Sequence, residues 1–137
     1  MVFYEMALPC QLSISLLFWT FIYPDGIIDW VPDLQPFQKY LIYCSHSLPA
    51  LLVLADFVLG SILFKLSNCL FLSIYLIMYY IGSYLYIRIS GQDIYKYVDF
   101  TWGDLKSLYM VLIHFILTMF LFYLLNLISN CRKSKLI

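Results

Sequence analysis

Charged residues are scarce in this sequence. Only 12% of the 137 residues are charged, and the eight basic and eight acidic side chains cancel to a net charge of zero. A soluble domain carries about 25% charged residues. A chain of this length that is 64% hydrophobic cannot hide so much apolar surface from water. The composition therefore predicts an integral membrane protein, and the absence of a basic excess argues against nucleic acid as a partner.

Cysteine and histidine are too few and too dispersed to indicate a metal site. The four cysteines form no Cys-x-x-Cys pair, so their spacing favours neither zinc binding nor a disulfide framework. The two histidines share no i, i+4 spacing with another ligand, and we predict no metal and no cofactor. Cys131 follows the last apolar run beside two basic residues, where it is either palmitoylated or an unmodified thiol.

Four apolar segments are long enough to cross about 30 Å of hydrocarbon. They cover roughly residues 6–23, 41–64, 69–89 and 108–129, and the second segment starts either at Leu41 or nearer Phe37. In lipid every backbone polar group needs an internal partner, so each segment must be helical. We predict a single membrane domain over residues 1–137 that is all-α, a polytopic transmembrane bundle of four helices.

Basic residues suggest an orientation and a compartment. Arg132, Lys133 and Lys135 cluster after the fourth segment, which places both termini in the cytosol. Lys133 and Lys135 also form the dilysine pattern that retrograde transport coats recognise, so we expect the endoplasmic reticulum or another endomembrane. The alternative is a solvated basic tail that stabilises the end of the fourth helix.

Asp56 lies inside the second apolar segment. A charge at the bilayer centre costs at least about 3 kcal/mol, so this residue needs a partner or a wet cavity. His46 precedes it by ten residues, which puts the two about 80° apart around a helix. We expect both to face one lumenal hollow that His114 also lines, with Arg88 closing its mouth. The structural alternative for Asp56 is a polar network with Tyr, Ser or Asn side chains of neighbouring helices, and for His114 it is a core histidine whose hydrogen bonds are satisfied.

Chemical roles follow from this arrangement. His46 is the natural general base of such a hollow, because an imidazole titrates near neutral pH. Asp56 supports it, while His114 and Arg88 belong to the substrate pocket. Tyr95 stands in a tyrosine-rich stretch after the third segment, where it either shapes a pocket for a lipid chain or anchors the chain at the interface.

Three stretches together resemble the androgen-induced membrane protein family, which includes the androgen-dependent regulator of tissue factor pathway inhibitor. They are Ala7-Leu-Pro followed by Phe18-Trp19-x-x-x-Tyr23, then His46 with Leu48-Pro49 and an acidic residue at 56, then Gly91-x-x-Ile-Tyr-x-Tyr-Val-Asp99. The similarity covers most of residues 7–130 and lies in the order and spacing of these motifs.

The resemblance implies a multipass hydrolase of the endomembrane system. Some family members cleave fatty acid esters of hydroxy fatty acids with a threonine nucleophile and a histidine, which makes His46 the catalytic histidine here. The family has about six transmembrane helices, and this chain begins where the third would be. The nucleophilic threonine belongs to the missing part, and Thr20, Thr101 and Thr118 fall elsewhere. In the third motif, Lys96 replaces the family's proline and Asp93 an aromatic residue.

Three functions are therefore open. The first is a lipid-ester hydrolase that is truncated, or shortened and inactive, because a histidine base without its hydroxyl partner cannot form an acyl intermediate. The second is a non-catalytic multipass endomembrane protein that binds membrane lipids or a protein partner. The third is a transporter subunit or channel, which rests on Asp56 alone.

Overall fold

A computed structural model describes residues 2–23, 35–60, 62–91 and 105–134. These residues form helices and no strands. The helices are α1 (Val2–Leu17, continued by a π-helix over Phe18–Ile22), α2 (Pro36–Leu59), α3 (Cys69–Ser90, preceded by a 3-10 turn over Leu66–Asn68) and α4 (Leu105–Ser134). Four helical spans in this part of the chain are long and apolar enough to cross a membrane. The predicted all-α transmembrane bundle of four helices is confirmed.

Helix α2 begins at Pro36, next to Phe37, which was the earlier of the two predicted starts. Pro36 occupies the first turn of the helix, where its missing N–H needs no partner and its fixed φ angle suits the helix. The backbone N–H of Gln35 donates to Oε1 of Gln38 at 3.0 Å. This contact satisfies one donor just before the helix and fixes its first residue.

Helix α2 also ends five residues before its predicted end at residue 64. At Gly60 the backbone becomes extended, and an added Cβ there would lie 2.7 Å from the carbonyl oxygen of Asp56. Only glycine tolerates this close approach. The apolar residues that follow therefore belong to the joint between α2 and α3, and the predicted boundary is wrong.

Helix α1 is the centre of the bundle. Its most extensive interface is with α4, and it also packs along α2. Of the four spans it is the most enclosed, with 39% of its apolar 18-residue window buried against 11% to 22% in the corresponding windows of the others. Lipid chains are as apolar as leucine, so this packing depends on close contact and polar pairs rather than on escape from water.

The α2–α3 joint inserts an aromatic side chain into the core. Phe64 is 2% exposed, and its ring makes edge contacts with Phe57 at 5.5 Å and Phe122 at 5.6 Å between centroids. Its N–H donates to Oγ of Ser129 at 3.1 Å, and its carbonyl accepts from Nδ2 of Asn126 at 2.6 Å. Helix α4 thus satisfies the backbone of a non-helical residue, as lipid requires.

A carboxylate on α1 completes the joint. Glu5 is only 1% exposed, and its Oε2 accepts from the N–H of Lys65 at 2.8 Å and from Nδ2 of Asn68 at 2.9 Å. These donors precede the start of α3, where the helix dipole favours a negative charge. The carboxylate therefore links α1 to the beginning of α3.

Arg132 connects the ends of α4 and α2. Its Nη1 donates to the carbonyl of Phe57 at 2.9 Å, and its guanidinium carbon lies 4.1 Å from the centroid of that ring. The last carbonyls of a helix attract a cation, so the contact is favourable. It places Arg132 at the same end of the bundle as the joint.

Candidate functional site: a histidine and an aromatic cluster

The last turn of α1 is wider than an α-helical turn. The N–H of Tyr23 donates to the carbonyl of Phe18, five residues earlier, at 2.8 Å. Such π-helical turns are rare and frequently occur at functional sites. Phe18 is 2% exposed, whereas Trp19 is 38% and Tyr23 48% exposed. The turn thus carries one ring inside the bundle and two at its surface.

His46 packs directly on this turn. It lies ten residues after the start of α2, about 15 Å along the helix. Its imidazole stacks on the ring of Phe18 with centroids 4.1 Å apart and planes inclined by 9°. Its Nδ1 is buried and has no hydrogen-bond partner among the described residues. An unpaired buried polar atom costs about 1–3 kcal/mol, so a water molecule, a ligand or a chemical role is needed to explain it.

Three further rings surround this pair. The centroid of Trp19 lies 4.9 Å from that of Tyr23 and 5.8 Å from that of Tyr43, and the two tyrosine rings are 5.7 Å apart. Nε1–H of Trp19 donates to Oγ of Ser47 at 3.1 Å. We call the five side chains of Phe18, Trp19, Tyr23, Tyr43 and His46 the aromatic cluster. It joins the end of α1 to α2.

His114 belongs to a different set of contacts. Its Nδ1 lies 2.7 Å from the hydroxyl of Tyr80 on α3, and its Nε2 is buried without a partner in the described part of the chain. One turn further along α4, the hydroxyl of Thr118 is 2.7 Å from both the His114 carbonyl and the hydroxyl of Ser13 on α1. His114 is thus a core histidine with one of its two ring nitrogens paired, which partly matches the satisfied core histidine that the sequence offered as its structural alternative.

Asp56 does not lie beside His46. Because α2 ends at Leu59, Asp56 stands in its last turn, where it is exposed. The Tyr4 hydroxyl donates to the carbonyl of Val53 at 2.7 Å and also interacts with the Asp56 carboxylate. The ten residues between His46 and Asp56 separate them by about 15 Å along the helix. Asp56 is thus exposed near the end of α2 rather than enclosed in a hollow with His46, because the helix ends five residues earlier than predicted.

Arg88, another predicted pocket residue, does not join the cluster. Arg88 is exposed in the last turn of α3, where its guanidinium carbon lies 6.0 Å from the ring centroid of Tyr84. Tyr95 and Lys135 lie outside the described residues. Within the ranges that the structure describes, no group of three or more His, Cys, Asp or Glu side chains could hold a metal ion.

No family model, curated protein or solved structure matches this chain. The resemblance to the androgen-induced family therefore stays a prediction from motifs. Two of its three motifs do meet in space, since Phe18 of the first stacks on His46 of the second. The third motif lies almost entirely outside the described residues.

Two members of the site were not predicted from the sequence. Tyr43 precedes His46 by three residues and Ser47 follows Tyr43 by four. Side chains at these spacings share a helix face, and that was the available signal. The stacking of Phe18 on His46 links residues 28 positions apart and depends on how α1 packs against α2.

Proposed function

We propose that this integral membrane protein binds a lipid ester at the aromatic cluster, with Nδ1 of His46 contacting the ester group. The observation that carries the proposal is the buried, unpaired Nδ1 between two membrane helices. In hydrocarbon a polar atom finds few partners, and the ester carbonyl of a lipid is an acceptor that reaches this depth. The surrounding aromatic and aliphatic side chains suit its acyl chains.

Binding without catalysis is the reading that the contacts favour. A nucleophilic hydroxyl would stand within hydrogen-bond reach of its histidine base. Nδ1 of His46 has no such hydroxyl in the stretches that the structure describes. A non-catalytic lipid-binding protein of the endomembrane system is thus our first proposal.

Ester hydrolysis is the second candidate, and a specific observation favours it. Stacking on Phe18 fixes the imidazole while the buried Nδ1 has no hydrogen-bond partner among the described residues, so this nitrogen is not already engaged and can serve as a general base. In this reaction His46 would take a proton from water, and the resulting hydroxide would add to the ester carbon. The C–O bond would then break as the imidazolium returns its proton to the leaving alkoxide oxygen, which releases an acid and an alcohol. Without a nucleophilic side chain the rate should be low.

The substitution His46→Phe tests the binding site. Phenylalanine keeps a ring to stack on Phe18 but has no nitrogen for the ester. We expect the affinity for a branched fatty acid ester to fall about tenfold, the equivalent of one hydrogen bond. Photocrosslinking of such an ester to the purified chain in lipid nanodiscs measures the change. Ser45→Ala is the control, because the Ser45 hydroxyl bonds to the carbonyl of Ile42 on its own helix.

The same two variants test hydrolysis when free fatty acid is measured. Release by the native chain and by Ser45→Ala, with none by His46→Phe, would support the hydrolase. Equal release by all three would remove His46 from the reaction. Equal crosslinking of the native chain and His46→Phe would overturn the proposed binding site itself.

The proposed membrane is the endoplasmic reticulum or another endomembrane, with both termini cytosolic. In support, Arg132 and the Lys65 backbone lie at one end of the bundle, and Lys133 follows on α4. The double substitution of Lys133 and Lys135 by serine should move an N-terminally tagged chain to later compartments, as fluorescence microscopy would show. Lys65→Ser, at an exposed position, should leave the distribution unchanged. An unchanged double variant would refute coat recognition.

A further inference from the structure

We infer that the outer rings of the aromatic cluster recognise a quaternary ammonium group, which makes a choline headgroup the distinguishing part of the bound lipid. This inference rests on the proposed lipid site and names the class of lipid. The outer rings are those of Trp19, Tyr23 and Tyr43.

The spacing of these rings suits one cation. Their centroids form a triangle with sides of 4.9, 5.7 and 5.8 Å. A cation placed about 4.5 Å above the middle of this triangle lies roughly 5.5 Å from each centroid, within the distance range of a cation–π interaction. The planes of Trp19 and Tyr43 are inclined by 32°, whereas the plane of Tyr23 is inclined to them by 55° and 78°. Tryptophan has the most favourable face for a cation, and Trp19 is partly exposed.

The order of the cluster along the helices matches the order of groups in a lipid. Trp19 and Tyr23 stand at the end of α1, and Tyr43 is one turn closer to the start of α2 than His46. Helix ends carrying tryptophan and tyrosine lie at the depth of lipid headgroups. An ammonium group at the outer rings therefore leaves the ester next to His46 and the acyl chains further inward.

The chemistry of the cluster selects quaternary over primary ammonium. A primary ammonium has three N–H donors and is strongly hydrated, so it prefers carboxylates and carbonyls to ring faces. The aromatic cluster contains no carboxylate and offers ring faces instead. A quaternary ammonium has no N–H to satisfy, and aromatic rings are its usual partners in proteins.

Native mass spectrometry of the full chain tests the inference with two lipid esters that share acyl chains and differ in headgroup. We expect the choline lipid to bind about tenfold more tightly than the ethanolamine lipid. Trp19→Leu should bring this ratio close to one, and Trp19→Phe should retain part of it. Tyr123→Leu is the control, since Tyr123 is 51% exposed on α4 and should leave the ratio unchanged.

Competition experiments distinguish a lipid headgroup from a free ammonium compound as the ligand. Displacement of the choline lipid by tetramethylammonium chloride, but not by sodium chloride, would support the site. Free choline binding as tightly as the lipid would support the site and assign it to a soluble ligand. A melting temperature for each variant shows that it is folded, and Tyr43→Leu serves as a second variant if Trp19→Leu unfolds.

The outcomes distinguish this inference from the proposed function. Equal binding of the two lipids to the native chain would overturn headgroup recognition, and the rings would then be interfacial anchors. The lipid-ester site would still stand in that case. Failure of both lipids to bind would overturn the proposed function, and the inference with it.

Discussion

Replacement of Glu5 by leucine should lower the free energy of unfolding by about 3–5 kcal/mol. The change removes the acceptor of the Lys65 N–H and of Asn68 Nδ2. Each donor left unpaired away from water costs about 1–3 kcal/mol, and a charged acceptor raises the loss. Reversible unfolding of the chain in mixed micelles, followed by circular dichroism, measures the difference.

The matched variant is Glu5→Gln, which keeps the shape and one acceptor oxygen. Glu5→Gln should lower the free energy of unfolding by about 1–2 kcal/mol, less than Glu5→Leu does, since a neutral acceptor forms a weaker hydrogen bond. Asn68→Ala in the Glu5→Leu background should add little further loss, because its partner has already been removed. A Glu5→Leu chain as stable as the native one would show that the carboxylate does not hold the joint.

Phe64→Ala should destabilise the fold by about 2–4 kcal/mol. The ring is 2% exposed between Phe57 and Phe122, so its removal leaves a cavity that the helices fill only in part. Lipid chains solvate apolar groups in the unfolded state, and the loss is therefore one of packing rather than of transfer from water. The same unfolding experiment measures it.

Val58→Ala is the control for this cavity. Val58 is 64% exposed at the end of α2, so its methyl groups contact lipid or detergent in either state, and the change should stay within about 0.5 kcal/mol. If Phe64→Ala and Val58→Ala lowered the free energy of unfolding equally, the joint between α2 and α3 would not pack into the core.

Hydropathy predicted the membrane spans but not where α2 ends. Lipid permits only helices for an apolar segment of this length, and the third segment, predicted at 69–89, is observed as Cys69–Ser90. Around Gly60 the chain stays apolar on both sides, so hydropathy carries no boundary there. The close approach of Gly60 to the Asp56 carbonyl is a property of the backbone geometry. Hydropathy averaged over a window of residues carries no information about it.

His46, at the centre of the candidate site, could be singled out from the sequence, but the residues that pack around it could not. His46 stood out because the sequence holds two histidines and few charges. Its neighbour Phe18 comes from another helix, and only the packing of α1 against α2 identifies it. Glu5 was missed because the first apolar segment was taken to begin at Met6, whereas α1 begins at Val2. A carboxylate just outside an apolar run looks like a solvated residue until its partners are known.

The central place of α1 has a consequence for biosynthesis. Its broadest interface is with α4, which the ribosome makes last among the described helices. Until then the Ser13 oxygen, whose hydroxyl already donates to the Cys10 carbonyl, lacks the donor that Thr118 supplies. A helix that exposes a partly paired polar group to lipid invites capture by insertion chaperones and quality-control proteases. Nascent chains halted before α4 should therefore be short-lived, and the bundle should close only after translation has passed the fourth helix.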